Sequence, residues 1–323
     1  MPQRLLTRVQ REGNPLIDGD TATFVWRGAD APVLIGDFNR WNLHAPLTLQ
    51  RVAPGLWAHT VKLLRHAYIE YAFMSGGQAV ADPFNANVTS NGFGGLNHFF
   101  YLSGGPTPLI RRQRGVRRGL ITRHVIESDL VFGNKRAVYL YQPPTDQPGP
   151  LIVVFDGREY LRRVRLPHIV DNLIAQGRMQ PAALALIEHG GPARISEFSA
   201  SEALIGFVLT KVLPLAQSHL RLTEPGEYGL LGASLGGLMA MTLGLRYPQV
   251  FNRVLSQSGA FMLHEHPTPV FELVKARANR HARIWLNVGR YELLKSVNRH
   301  LRDWLAQMNY AVVYREYPGG HNY

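Results

Sequence analysis

The sequence of 323 residues contains no cysteine. This absence excludes disulfide bonds, a thiol nucleophile and thiolate metal ligands. Long apolar runs are also missing, since no stretch approaches the roughly 18 consecutive apolar residues that a membrane span needs. Met1 to Arg4 lead into a polar segment that lacks the apolar core of a signal peptide. We therefore expect a cytoplasmic protein with no membrane partner.

Acidic residues are scarce relative to basic ones. Asp and Glu number 23 against 35 Lys and Arg, which gives a formal net charge of +12. Such an excess attracts nucleic acid, an anionic membrane or an acidic small ligand. No pattern of a nucleic-acid-binding module accompanies the charge, so we expect no nucleic-acid partner. The densest basic run, Arg111 to Arg118, favours a solvated linker over a phosphate-binding patch.

The first third of the chain has the pattern of short strands and turns. Hydrophobic residues make up 46% of the sequence, enough for a sizeable core. Up to about Leu102, β-branched and aromatic runs alternate with Gly, Pro, Asn and Asp. These runs are Ala22 to Trp26, Val33 to Ile35, Leu56 to Leu63 and Tyr68 to Met74. The pattern predicts an antiparallel β-sandwich domain over residues 1–105, followed by a basic linker over 106–118.

Residues 119–323 have a different organisation. Thr122 to Ile126 and Arg136 to Tyr141 predict a hairpin, after which strand-like and helix-like segments alternate. The predicted strands are Leu151 to Phe155, Ala182 to Ile187, Gly226 to Leu231, Val254 to Gln257, Arg283 to Val288 and Ala311 to Arg315. The longest helix-like stretches are Ser201 to His219 and Leu293 to Met308. Repeated alternation predicts an α/β domain with a mostly parallel sheet covered on both faces.

A nucleophile elbow is predicted at Ser234. The pentapeptide Gly232 to Gly236 has the form G-x-S-x-G, between the apolar run Tyr228 to Leu231 and a helix-like stretch. Small neighbours allow a tight strand-to-helix turn that holds the serine Oγ at the end of the strand. The alternative is an ordinary βα turn with a solvated serine.

A serine hydroxyl needs a base, and the base needs a third group to orient it. In this type of fold the acid and then the histidine follow the serine along the chain. Glu292 follows one predicted strand, and His321 follows the last one on a Gly-rich loop. We assign Ser234 as nucleophile, His321 as general base and acid, and Glu292 as its orienting partner. The alternatives are a helix cap at Glu292, a frayed tail at His321, and Asp303 as a rival acid.

The oxyanion of a tetrahedral intermediate needs N–H donors aimed at it in advance. The amide of Leu235, directly after the nucleophile, is one candidate. The second donor is expected from the loop after Leu151 to Phe155, at the amide of Gly157 or Arg158. The alternative for Asp156-Gly157 is a simple turn.

The N-terminal part resembles the immunoglobulin-like domain that precedes the catalytic domain of glycogen-branching and isoamylase enzymes. The residues that carry this resemblance are Val33 to Asn42, Gly55 to Trp57, Tyr68 to Phe73 and Ala81 to Asn85. Such domains bind α-glucans or only brace a catalytic domain. Trp41 and Trp57 could stack on a sugar or an aromatic ligand, but packing in a core or interface is the favoured interpretation.

The region from about Thr122 to His321 resembles the esterase D-like branch of the α/β-hydrolases, and within it the enterochelin (ferric enterobactin) esterases. The residues that carry the resemblance are Ser128 to Pro144, Phe155 to Gly157, Arg194 to Phe198, Gly232 to Gly237, Tyr247 to Phe251, Ser256 to Gly259, Gly289 to Glu292 and Gly319 to His321. The resemblance implies the same triad and places Arg194 in the substrate cleft, where we group it with Asp156 and Glu197. An Arg194–Glu197 ion pair is the structural alternative. The family usually continues past the histidine into a closing helix, whereas this chain stops at Tyr323, so we expect part of the cover over the sheet either to be missing or to be supplied by a homodimer partner.

Three functions remain open from the sequence. The first is a cytoplasmic esterase that opens the ester scaffold of an anionic ferric catecholate siderophore, with the iron as part of the substrate and no cofactor or metal of its own. The second is a carbohydrate esterase of the feruloyl or acetyl-xylan type. The third is a non-catalytic glucan-binding protein. The run His264-Glu265-His266 lacks the spacing of the H-E-x-x-H metal motif and is expected to be a solvated loop.

Overall fold

The structure is a computed structural model that describes residues 2–91 and 94–322. The contacts within the chain divide it into two compact units. Unit 1 contains the described residues up to Gly105 together with two later segments, Gly289–Lys295 and Glu316–Asn322. Unit 2 contains Pro106–Val288 and Ser296–Arg315. The domain boundaries 1–105, 106–118 and 119–323 stay predictions.

Unit 1 is built on two β-sheets. Its strands are β1 (Leu16–Asp18), β2 (Thr21–Arg27), β3 (Val33–Gly36), β4 (Leu47–Thr48), β5 (Gln50–Ala53), β6 (Leu56–Lys62), β7 (Tyr68–Ser75), β8 (Gln78–Val80), β9 (Val88–Ser90) and β10 (Leu96–Tyr101). One sheet has the order β1-β2-β6-β5, and the other has the order β4-β3-β7-β10-β9 with β8 beside β7. Each pairing is antiparallel, as the alternating pattern predicted.

The core of unit 1 lies between the two sheets. Phe24 of β2 meets Tyr71 of β7 and Phe100 of β10 in edge-on ring contacts, with ring centroids 4.9 and 5.8 Å apart. These aromatic residues are buried in one cluster that draws side chains from both sheets, as the alternation of side chains along a strand requires. Trp57 packs at the edge of this cluster and donates from Nε1 to the Gly28 carbonyl at 3.1 Å. Core packing is therefore confirmed for Trp57.

An N-terminal helix, α1 (Pro2–Glu12), precedes the sheets. The sequence pattern does not predict this helix, because the segment is polar overall. Only its narrow apolar side, with Val9 buried and Leu5 and Leu6 beside it, packs on Leu16 of β1. On its solvated side Arg8 bonds Glu12 one turn later and Asp18 of β1.

The rest of the chain forms an eight-stranded sheet and a small hairpin. The strands are β11 (Leu120–Glu127), β12 (Lys135–Gln142), β13 (Leu151–Phe155), β14 (Ala183–Ile187), β15 (Tyr228–Ala233), β16 (Phe251–Gln257), β17 (Met262–Leu263), β18 (His266–Pro267), β19 (Arg283–Gly289) and β20 (Ala311–Tyr317). The large sheet has the order β11-β12-β14-β13-β15-β16-β19-β20. Strands β11 and β12 are the predicted hairpin, and the pairs from β14 to β19 are parallel. The predicted α/β fold is confirmed.

Helices cover both faces of this sheet. They are α2 (Gly157–Arg162), α3 (Leu166–Ala175), α4 (Arg194–Phe198), α5 (Glu202–Phe207), α6 (Leu213–His219), α7 (Leu235–Arg246), α8 (Val270–Lys275) and α9 (Lys295–Gln307). Leu231 belongs to a cluster with Tyr160 of α2 and Val170 of α3. The preceding residue, Leu230, points to the opposite face, where Gly244 of α7 lies close to it. Successive strand residues face opposite ways, so α3 and α7 lie on opposite faces.

Part of the predicted basic linker is hydrogen-bonded to helix α3 in unit 2. Backbone carbonyls of Leu109 and Arg111, within the predicted basic linker, accept hydrogen bonds from Asn172 of α3 at 2.7 and 2.9 Å.

Among the described residues no single helix is long and apolar enough to cross a membrane. Two consecutive helical segments, Gly191–Phe198 and Glu202–His219, together have the length and apolar composition of a membrane span, but they are bent by 95° to each other. Many of their apolar side chains are buried in the core.

Candidate active site

Ser234 lies in a strained turn between β15 and α7. Its backbone angles are φ 57° and ψ −121°, a conformation that a residue with a side chain rarely adopts and that costs about 1–3 kcal/mol. Two hydrogen bonds hold the turn, from Ser234 N to the Gln257 carbonyl at 2.9 Å and from Ala260 N to the Ser234 carbonyl at 3.0 Å. This is the geometry of the predicted nucleophile elbow.

The glycines around Ser234 are required by close approach. A Cβ atom at Gly232 would collide with the backbone of Gly236 one turn ahead, and a Cβ atom at Gly237 would collide with Ser256 on β16. Any larger residue at these positions would force the strand and the helix apart. The motif therefore has a steric basis here, and an ordinary solvated turn does not describe it.

The predicted oxyanion donors lie at the starts of two helices. Leu235 is the first residue of α7, and Gly157 and Arg158 are the first two of α2. Amides in the first turn of a helix have no partner within that helix and point outward at its positive end. Their strands, β15 and β13, are neighbours in the sheet. The structure thus places these amides on two adjacent strand-to-helix turns.

Glu292 and His321 form a hydrogen-bonded pair within unit 1. Glu292 Oε2 lies 2.5 Å from His321 Nδ1, and Glu292 Oε1 accepts from Gly289 N at 2.5 Å. Glu292 is only 4% exposed, whereas the His321 side chain is 45% exposed. A carboxylate on Nδ1 keeps the proton on that nitrogen and leaves Nε2 as the basic atom. Neither a helix cap at Glu292 nor a frayed tail at His321 describes this arrangement.

The two loops that carry this pair are locked together. Tyr291 N donates to the Gly319 carbonyl at 3.1 Å, and Arg290 N donates to the Tyr317 carbonyl at 2.9 Å. A Cβ atom at Gly289 would collide with the carbonyls of Gly319 and Gly320, so only glycine allows this approach. Helix α9 begins at Lys295, beyond the predicted Leu293.

Arg194 is fixed in unit 2 by Asp156. Its Nε and Nη2 atoms donate to the two carboxylate oxygens of Asp156 at 2.7 and 2.6 Å, and its guanidinium lies 5.3 Å from the ring centre of Phe198. A bidentate pair fixes the direction of the guanidinium plane. A Cβ atom at Gly236 would lie 3.2 Å from Asp156 Oδ2, which places this pair beside the nucleophile elbow. The Arg194 side chain keeps 24% of its surface exposed.

Glu197 has a different partner from the one considered in the sequence analysis. The Glu197 carboxylate is bound by Arg136 of β12 at 2.6 and 2.7 Å and by the backbone amides of Phe132 and Gly190. Both charged side chains are almost fully buried. The alternative of an Arg194–Glu197 pair is therefore corrected to two separate pairs, because the helix that carries both residues turns Glu197 inward. This environment suits Glu197 to holding the segment of Arg194 rather than to touching a ligand.

One group of ligand-type side chains surrounds Asp156. Potential donor atoms of Asp156, Glu159 and His189 lie within 4.8 Å of one another, so by geometry they could hold a metal ion. The Glu159 carboxylate, 3.7 Å from His189 Nε2, raises the pKa of His189, which favours a cation on the imidazole itself. The Arg194 guanidinium already occupies both oxygens of Asp156. A metal ion would have to displace these cations. The other metal-like run, His264 to His266, forms the tight turn of β17 and β18.

A cavity of about 450 Å³ lies in unit 1, and Leu293, the residue after Glu292, is part of its lining. It is lined by Asn39, Arg40, Trp41, Asn42, Leu43, His44 and Leu293. A tryptophan ring next to a guanidinium offers a surface for stacking and a positive charge for an anionic group. Trp41 could be singled out from the sequence, but the cavity could not, because Leu293 lies far from Trp41 along the chain.

Comparison with known proteins adds the family. The sequence model of the Esterase family, described as “Putative esterase”, matches residues 130–323. The Iron(III) enterobactin esterase of Dickeya dadantii is 29% identical over 210 residues, which are 58% of this chain and 48% of that protein. This chain thus covers about half the length of that relative.

Solved structures show the same fold. The enterobactin esterase FES from Shigella flexneri, crystallised in the presence of enterobactin, superimposes with a TM-score of 0.79 at 21% identity and covers 98% of this chain and 93% of that one. A ferulic acid esterase superimposes with a TM-score of 0.57 at 17% identity, over 64% of this chain and 92% of that one. At such identities the likeness shows an α/β-hydrolase-type fold alone. The family model, which matches residues 130–323 and thus more than half of the chain, shows that the chain belongs to the Esterase family.

Proposed function

We propose that this protein is a serine hydrolase of carboxylic esters, with Ser234 as nucleophile, His321 as general base and acid, and Glu292 as the group that orients His321. The observation that carries this proposal is the hydrogen bond between Glu292 Oε2 and His321 Nδ1, which leaves Nε2 as the basic atom. The strained elbow at Ser234 supports it from the side of the nucleophile. Membership of the Esterase family supports the reaction class.

The proposed reaction runs in two steps. Ser234 Oγ bonds to the ester carbonyl carbon while its proton passes to His321 Nε2, and the carbonyl oxygen becomes an oxyanion held by the amides of Leu235 and of Gly157 or Arg158. The bond to the alcohol oxygen then breaks, and His321 returns the proton to that oxygen. Water then attacks the acyl carbon and gives its proton to His321, the bond from that carbon to Ser234 Oγ breaks, and His321 returns the proton to Oγ as the acid leaves.

The proposed substrate is the ester trilactone of an anionic catecholate siderophore. Relatives named as Iron(III) enterobactin esterases support this class. The net charge of +12 favours the approach of an anion, and Arg194 supplies a fixed guanidinium beside the elbow. Any iron belongs to the substrate.

The remaining proposals concern the protein around the site. We propose that the two-sheet unit is an immunoglobulin-like domain of the isoamylase or glycogen-binding kind that braces the catalytic domain. We propose a cytoplasmic location and a homodimer. These proposals rest on the sequence patterns described above.

A panel of three ligands tests the function. We expect the protein to open a triscatecholate trilactone, with iron bound or absent, at least 100 times faster in kcat/KM than it hydrolyses methyl ferulate, a discrimination of about 3 kcal/mol. Product release is followed by chromatography, and glycogen binding is measured in parallel. Turnover of methyl ferulate without turnover of the trilactone would assign a carbohydrate esterase instead. Tight glycogen binding without hydrolysis of any ester would assign a non-catalytic binding protein.

A further inference from the structure

Asp37 is a buried carboxylate that the catalytic scheme does not use. It follows strand β3 and is only 2% exposed. Its Oδ1 accepts from Trp41 Nε1 at 2.9 Å, and its Oδ2 accepts from Glu70 N at 2.8 Å and from Asn322 Nδ2 at 3.1 Å. Three N–H groups from three separate segments of unit 1 thus meet on one side chain.

The Asp37 carboxylate lies directly on the loop that carries His321. A Cβ atom at Gly320 would collide with the carboxylate, so the backbone of the loop rests on it. Asn322, on the other side of His321, is one of the three donors. The residues immediately before and after His321 are therefore both held by Asp37.

The neighbouring loop segments are tied to the same strands. Tyr68 N, at the start of β7, donates to the Pro318 carbonyl at 3.1 Å. Leu64 N donates to the hydroxyl of Tyr291 at 2.7 Å, and the Tyr291 ring packs against the core between the two sheets. Both loops of the Glu292–His321 pair are thus anchored on the β-sheet unit.

Such a buried carboxylate is electrostatically costly. Burial raises the pKa of Asp37 to about 7, against the opposing effect of its hydrogen bonds and with a further contribution from the nearby Glu70 carboxylate. A neutral apolar side chain would fill the position without this cost. A carboxylate at this position is explained by the three N–H donors and the close contact with Gly320, because a charged acceptor can fix several N–H groups at once.

We propose that Asp37 is a positioning residue that holds the loop Gly319 to Asn322, so that the imidazole of His321 stays on Glu292. The catalytic consequence rests on the proposed function, whereas the holding of the loop does not. In this way the β-strands of unit 1 contribute to catalysis, because they fix the pair Glu292 and His321.

The test compares Asp37→Asn with Asp82→Asn. Asp82 is a matched control, since it is also a buried carboxylate of unit 1 that accepts from three donors, Asn14, Tyr71 and the Phe84 amide. An asparagine at position 37 keeps one acceptor oxygen and turns an NH2 group toward N–H donors, which breaks at least one bond. The assays run at pH 8.5, above the raised pKa of Asp37 of about 7.

Two readouts are measured below the melting temperature of both variants. For p-nitrophenyl butyrate we expect Asp37→Asn to lower kcat about 10- to 100-fold with KM nearly unchanged, because a small misplacement of a catalytic group costs about this much. We also expect faster deuterium uptake in the peptide that contains Gly319 to Asn322. Asp82→Asn should leave both the kcat and the uptake of this peptide at the parent values.

Each outcome decides the proposal. Unchanged uptake in Asp37→Asn overturns it, as does an equal fall in kcat for both variants, which would show general destabilisation. If the parent hydrolyses no ester, the proposed function fails, and uptake alone decides whether Asp37 holds the loop. If Asp37→Asn does not fold, Asn322→Ala replaces it. This change removes one of the three hydrogen bonds to Asp37 at a partly exposed residue.

Discussion

At the scale of single residues, the pair Glu292 and His321 shows what a sequence can and cannot reveal. Each residue follows a predicted strand in the order that the fold requires, so both could be named from the chain alone. The contacts that fix them could not. Asp37 is 284 positions from His321 by sequence number, and the bond from Asn322 to its carboxylate depends on packing that no local pattern records.

The charged residues around the elbow illustrate the same limit. Sequence proximity suggested Arg194 and Glu197 as partners, three residues apart on one short helix. The structure pairs Arg194 with Asp156 and Glu197 with Arg136. Because Asp156 follows β13 and Arg136 lies in β12, only the order of the strands in the sheet brings these partners together. A signal did exist for Arg136, which directly precedes the apolar run Ala137 to Tyr141 of β12.

The residue-scale prediction concerns Glu292. Glu292→Gln should lower kcat for p-nitrophenyl butyrate about 100- to 10,000-fold, because an amide stabilises the imidazolium poorly and can select the wrong tautomer of His321. Asp303→Asn is the control, since Asp303 was the rival acid of the sequence analysis and lies exposed on α9, paired with Arg302. Steady-state kinetics of both variants measure the effect. Equal activity of Glu292→Gln and the parent would remove Glu292 from the site.

At the scale of elements, strands were predicted more faithfully than helix ends. Runs such as Leu151 to Phe155 are bounded by turns and are buried on both faces, so their limits are visible in the sequence. Helix α1 was missed because its apolar side is narrow, and α9 begins later than predicted because Leu293 is exposed and belongs to the loop. Helix boundaries depend on which turn packs, and composition does not determine that.

The element-scale prediction uses two helical glycines. A Cβ atom at Gly244 of α7 would collide with Val254 of β16, whereas at Gly206 of α5 the nearest atom would be Leu130 Cδ1 at 3.6 Å. Gly244→Ala should lower the free energy of unfolding by about 1–3 kcal/mol through overpacking. Gly206→Ala should raise it by about 0.5–1 kcal/mol, because alanine loses less backbone entropy in a helix. Urea unfolding followed by circular dichroism measures both, and destabilisation by both changes would refute the packing argument.

At the scale of the whole molecule, composition and family membership indicate the class of reaction more narrowly than they indicate the substrate. The absence of cysteine leaves serine as the available nucleophile of this kind, and the Esterase match agrees with the elbow at Ser234. The excess of basic residues favours the proposed anionic substrate but does not specify its shape. The proposed substrate class therefore rests on the relatives and on Arg194.

The central claim is that Ser234 is the nucleophile of an esterase, and one comparison of rates tests it most directly. Release of p-nitrophenolate from p-nitrophenyl butyrate is measured for the parent, for Ser234→Ala and for Ser218→Ala, a control on the exposed surface of α6. The account predicts that Ser234→Ala loses at least about 1,000-fold in kcat while keeping its fold, and that Ser218→Ala keeps the parent rate. Turnover by Ser234→Ala at the parent rate would contradict it.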